Sequence, residues 1–136
     1  MTNKKLEFLK KDGYILSCNE YIIMKRIEAT IQINKISIVS DAITGLVGGF
    51  TILEGKGRGS GKRQNIRSGR GTNTITAEYN KVAIVSTIVD DSIVEKVSEA
   101  IEEAAFTGGN SDGIIVVSNI ESVLNIGSKK KNSEAL

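Results

Sequence analysis

The stretch Lys81–Gly108, KVAIVSTIVDDSIVEKVSEAIEEAAFTG, decides the fold. Its first nine residues, KVAIVSTIV, are dense in β-branched side chains and predict a central strand, because such side chains pack well on a pleated surface. From Ser92 the period changes. Val94, Val97, Ile101 and Ala105 recur at helical spacing, Ser92 with Glu95 matches a capping box, and Gly108 supplies a stop. The acids Glu95, Glu99, Glu102 and Glu103 then form a solvated outer face, and Asp90 and Asp91 favour the positive helix start.

Working outward, TGGNSDG (Thr107–Gly113) is a Gly-rich turn, followed by Ile114–Ser118 (IIVVS), a continuous apolar strand. Ile120–Ile126 gives a last short element, and 127–136 read as a polar, flexible tail. Upstream, Ile27, Ala29, Ile31 and Ile33 alternate with Arg26, Glu28, Thr30 and Gln32, the period of a half-buried strand. Ser37 caps a short helix whose apolar face is Ile36, Val39, Ile43 and Leu46, and Phe50–Glu54 (FTILE) forms another strand. Between the halves lies GKGRGSGKRQNIRSGRG, Gly55–Gly71, with Lys56, Arg58, Lys62, Arg63, Arg67 and Arg70 and no acid. Too little of it is apolar to offset its ordering entropy, so it predicts a long functional loop. Residues 1–23, where Lys4, Lys5, Lys10 and Lys11 surround Leu6, Phe8 and Leu9, read as an extension ahead of a domain at 24–126.

The order strand–helix–strand, loop, strand–helix–strand predicts an α+β domain, a ferredoxin-like βαββαβ sandwich with two helices on one face of a four-stranded sheet. The other face would expose apolar residues of KVAIVSTIV and IIVVS, which implies a symmetric oligomer. At 136 residues and 40% hydrophobic content the chain can bury a real core, and its net charge of +2 is nearly neutral. The single cysteine, Cys18, suits a reducing compartment, and no run approaches a membrane span, so a soluble cytoplasmic protein is expected.

No histidine is present, which removes Ser-His and Cys-His nucleophilic catalysis. The phosphate-loop pattern fails as well, since Gly61-Lys62 is followed by Arg63 and Lys56 stands where its first glycine belongs. A non-catalytic role is therefore expected. The Gly-rich turns at Gly55–Gly61 and Thr107–Gly113 remain as anion cradles built from backbone N–H groups. An alternative is a nucleic-acid-binding protein that neutralises phosphates with the Arg/Gly-rich loop, although that loop has no aromatic residue to stack on bases.

From Met24 to about Ile126 the chain resembles the PII signal-transduction family. MKRIEATI (Met24–Ile31) is similar to its opening strand, TILEGKGRG (Thr51–Gly59) to the strand entering its T-loop, and Lys81–Gly108 to its third strand and second helix. TGGNSDG stands at its B-loop. The resemblance implies a homotrimer, effector sites between subunits, and a T-loop (55–76 here) that docks a regulated target such as a transporter or a nitrogen-metabolism enzyme. Several basic positions of the family differ: Ile114 follows Asp-Gly, Asn125 and Gly127 replace two arginines, and Ser60-Gly61 stands where Arg-Gln opens the T-loop, unless Arg63-Gln64 takes that part. Losing several charge-assisted bonds, each worth about 1.5–3 kcal/mol, predicts weak ATP binding.

The expected effector is ADP, AMP or another nucleotide, or a carboxylate such as 2-oxoglutarate, with no required cofactor and no metal. Its expected contacts are Thr51, Gly57, Gly59, Lys81, Thr107, Gly108, Asp112 and Gly113, with Lys81 pairing with the anion. Arg58, Lys62, Arg63, Arg67 and Arg70 are the expected contacts to a partner.

Overall fold

A computed structural model describes residues 23–61, 63, 65–69 and 73–136. Lys62, Arg70 and the extension up to residue 22, with Cys18, lie outside the described residues. The elements are β1 (Met24–Gln32), α1 (Ile36–Ile43), β2 (Thr51–Gly57), β3 (Asn65–Ser68), β4 (Asn73–Thr76), β5 (Asn80–Asp90), α2 (Val94–Ala105) and β6 (Gly113–Asn119). Strands β2-β5-β1-β6 form one antiparallel sheet in that order, the ferredoxin-like arrangement.

Alternation sorts the side chains by face. Ile27, Ala29 and Ile31 of β1 and Ala83, Val85 and Val89 of β5 are buried beneath Val39 and Ile43 of α1 and Val97, Ile101 and Ala105 of α2. The opposite face carries the row Leu53–Ile84–Thr30–Ile114, one residue from each strand in register. That face is apolar on its flanks, where Leu53, Ile114 and Val116 are exposed, and polar along β1, which contributes Arg26, Glu28 and Thr30. The expected apolar face is thus divided by a polar stripe, because β1 alternates while β5 is apolar on both sides.

Four details differ from the sequence reading. Neither helix is capped by the expected serine: α1 follows a 3-10 turn with no side-chain cap, so Ser37 falls inside its first turn. Ahead of α2, the Asp90 carboxylate accepts the Ser92 backbone N–H at 3.0 Å, so Asp90 holds this start and Ser92 only donates. IIVVS is an edge strand, paired only with β1, which explains why Ile114, Val116 and Val117 are exposed despite an unbroken apolar run. The basic loop is also partly strand. β2 continues through Gly57, and β3 and β4 pair as a ribbon with Ile66 opposite Ile75.

Residues 120–126 form no strand beyond a single bridge between Leu124 and Lys131. Asn125 organises the chain that follows. Its Oδ1 accepts the N–H groups of Gly127 and Ser128, each at 3.0 Å, and its Nδ2 donates to the Ala135 carbonyl at 3.1 Å. A 3-10 turn at Asn132–Ala135 places Ala135 at the boundary of the core.

Two substitutions separate the capping assignments. Asp90→Ala is expected to cost about 1 kcal/mol in urea denaturation, the usual worth of a helix-start acceptor, whereas Ser92→Ala leaves the midpoint nearly unchanged. Ile101→Ala, which empties a fully buried site, is expected to cost about 2–5 kcal/mol.

Candidate functional site

The Thr107–Gly113 turn is built around one carboxylate. Asp112 accepts the backbone N–H groups of Thr107 at 2.8 Å and Gly108 at 3.0 Å, and also the Thr107 hydroxyl. Gln32, at the end of β1, donates to Asp112 Oδ1 at 3.3 Å and to the Ser111 carbonyl at 3.2 Å. The Thr107 hydroxyl, then the Thr107 and Gly108 N–H groups, with Lys35 nearby, hold the Asp112 carboxyl below its usual range. Gly108 has φ +89° and Gly113 φ +113°, conformations that glycine takes without steric cost. At Gly113 the requirement is absolute, since a Cβ there would lie 1.8 Å from the Thr30 carbonyl oxygen.

The other Gly-rich turn meets this one within the same chain. A Cβ on Gly61 would lie 2.7 Å from the Asn110 carbonyl oxygen and 2.8 Å from Ser111 Oγ, so the loop backbone packs directly on the Asn110–Ser111 turn. Between them is a cleft of about 330 Å³ lined by Gly57, Arg58, Gly59, Asn80, Val82 and Ile114, among others. Gly57 is pressed against Val82, with 3.2 Å to Cγ1 from a Cβ built there, while Gly59 stands in open space. Arg58, expected at a partner surface, is the one charged residue among the described residues lining this cleft. Ile114, exposed on the edge strand, gives it an apolar wall.

The expected ligand residues do not all gather here. Gly57, Gly59 and Gly113 line the cleft, whereas Thr107, Gly108 and Asp112 bind one another and are not among its lining. Lys81 is exposed and pairs with Lys56 across β2 and β5, on the sheet face opposite its neighbours Asn80 and Val82, which do line the cleft. Thr51 begins β2, about 20 Å from Gly57 at the usual rise per strand residue. It lines a second cleft of about 400 Å³ with Arg26, Asn125, Ala135 and Leu136. Arg63 and Arg67 lie in the loop beyond the cleft.

Sequence reasoning missed Gln32 and Arg26, which looked like the polar phase of a strand, and Asn80, which fell one residue before the predicted strand at Lys81. Only knowing which strand ends meet the turns would have singled them out. Among the described residues no group of three or more potential metal ligands gathers. No helix among them is long and apolar enough to cross a membrane.

An α+β, ferredoxin-like domain with a cleft between two Gly-rich turns is the class this geometry defines, and similarity to known proteins agrees. The family model described as "Nitrogen regulatory protein P-II" matches residues 24–130. A P-II protein of Azospirillum brasilense is 36% identical over 114 residues, and one of Nostoc punctiforme is 38% identical over 115 residues. Each alignment covers 83% of this chain and the whole of the relative. The crystal structure of Arabidopsis thaliana PII bound to citrate superposes with a TM-score of 0.67 at 22% identity, covering 84% of this chain and 92% of that one. The chain belongs to the nitrogen regulatory protein P-II family, whose members are signalling sensors.

Gly113→Ala is expected to unpair β6 from β1, with a loss of order 3 kcal/mol or more in denaturant unfolding, since strain at positive φ adds to a backbone clash. The turn should also respond to acid. A carboxyl depressed on folding contributes fully above its ordinary value near 3.9 and loses that contribution as pH falls through the lower folded value. The protection factors of the Thr107 and Gly108 amides, taken against the unstructured rate at each pH, are therefore expected to hold at pH 5 and to fall only below the ordinary carboxylate range. Asp112→Asn should lower that protection already at pH 5.

Proposed function

We propose that this chain is a homotrimeric, non-catalytic effector sensor whose sites are completed between subunits. What supports this is the division of the candidate ligand residues. The Gly57–Gly61 cleft and the Thr51 cleft sit at opposite ends of one sheet, and neither alone holds the expected set. Both touch the helix-free face, at Thr30 and Val82 in one and at Thr51 and Ser86 in the other. Association through that face covers Leu53 and Val116 and can bring the first cleft of one subunit to the second cleft of its neighbour.

The effector is a nucleotide with few phosphates, ADP or AMP, or a carboxylate such as 2-oxoglutarate. The observation that carries this is the charge of the cleft: Arg58 alone among its described lining, with Ile114 beside it. In the second cleft the Asn125 side chain is committed to its own turn and to Ala135. A triphosphate would find too few cations there to offset its desolvation. Occupancy would act on Gly57–Gly61, the root of the basic loop, and select one loop posture. Arg63 and Arg67, together with Lys62 and Arg70, would then meet an acidic surface on a regulated target, such as the cytoplasmic face of a transporter.

Sedimentation analysis is expected to give a trimer. Calorimetric titration with ADP, AMP, 2-oxoglutarate and ATP should show one site per subunit and weaker binding of ATP than of ADP or AMP. Tight magnesium-dependent ATP binding would overturn the effector assignment. Arg58→Ala is expected to weaken nucleotide binding about tenfold, the worth of one charge-assisted hydrogen bond.

A further inference from the structure

A third cleft, of about 360 Å³, opens beside the edge strand and belongs to neither of the others' charge logic. Its floor is Ile101 and Ala105 of α2 with Ile115 of β6, and its wall is Phe106, 68% exposed. Glu102 and Asp112 stand at its rim. Glu95, Glu99 and Glu102 recur at helical spacing and continue to Phe106, so one side of α2 is an acidic stripe that ends in an apolar groove. The stripe begins where the described chain begins, because the Asp91 N–H bonds to the Ile23 carbonyl.

The sequence preceding Ile23 has the complementary pattern. Lys4–Lys11, KKLEFLKK, places Leu6, Phe8 and Leu9 between two pairs of lysines. The P-II relatives are matched over their whole length by 83% of this chain, with the family match starting at residue 24, so this segment has no part in the shared domain. Reach is sufficient: α2 spans about 18 Å, while the fourteen residues from Leu9 to Ile23 can extend to about 45 Å.

We infer that the chain's own Lys4–Lys11 segment docks along α2 of the same subunit, seating Leu6, Phe8 and Leu9 in the groove at Phe106 while its lysines face Glu99 and Glu102. Apolar area supplies the affinity, and the charges set the direction in which the segment lies. Because Asp112 and Gly113 also line the groove, the docked segment touches the turn that forms the effector cleft. The inference stands whether or not the effector is a nucleotide.

Hydrogen exchange on the full-length protein tests it. Substituting Leu6→Ser, Phe8→Ser and Leu9→Ser together is expected to speed exchange of amides in 101–106 and 113–115 at least tenfold, leaving 80–90 unchanged. Unaltered exchange in the groove would overturn the docking. Glu99→Lys with Glu102→Lys should give the same acceleration, and adding Lys10→Glu and Lys11→Glu should reverse it. Failure of the swap to restore protection would overturn the charge pairing. Zero-length carboxyl–amine cross-linking of mixed light and heavy isotope-labelled protein should join Lys10 or Lys11 to Glu99 or Glu102 within one chain. Cross-links found solely between chains would overturn the same-subunit assignment.

Discussion

The absence of a side chain at Gly113 is the constraint on which the site depends. There the backbone of β6 approaches the Thr30 carbonyl so closely that even a methyl group is excluded. That approach sets β6 beside β1, and it fixes where the preceding turn must begin. Asp112 then gathers the N–H groups of Thr107 and Gly108 by being one residue before this contact. Gln32, across from the same junction, locks the turn from the other strand. The loop after β2 has a preformed surface to rest on, and Gly61 rests on it. A cleft between two glycine-rich turns is therefore a consequence of strand pairing, not of an independent binding motif.

The core was legible in the sequence because burial and periodicity are local signals. Ile27, Ala29 and Ile31 announce a strand by alternation, and Val97, Ile101 and Ala105 announce a helix by spacing. Their chain order then leaves few packings. The caps were less legible because several acceptors compete at one helix start. Asp90 and Ser92 are both suitable by composition, and only the turn geometry at 91–93 gives the role to Asp90.

The candidate site was legible in part. Glycines at 57, 108 and 113 mark backbone that must bend or approach closely, so the two turns could be found. Which side chains face the space between them depends on strand parity, and there one residue changes everything. Asn80 and Val82 line the cleft, and Lys81 between them faces away. The separation of Thr51 from Gly57 is likewise a matter of rise along β2, invisible in a list of residue types. The ribbon at β3 and β4 was missed because glycine and arginine dominate the loop's composition, whereas two isoleucines nine residues apart carry its one apolar pair.

Lys56 and Lys81 stand directly opposite each other where β2 gives way to the loop. Two ammonium groups in that position repel, which weakens the next-to-last rung of the ladder, one short of Gly57 opposite Asn80. The pairing of β2 with β5 is thus locally weakened at the root of the loop. Dissolved salt, by screening the two lysines, strengthens this pairing, whereas low ionic strength weakens it. The pairing at the root of the basic loop is consequently tied to the ionic content of its surroundings.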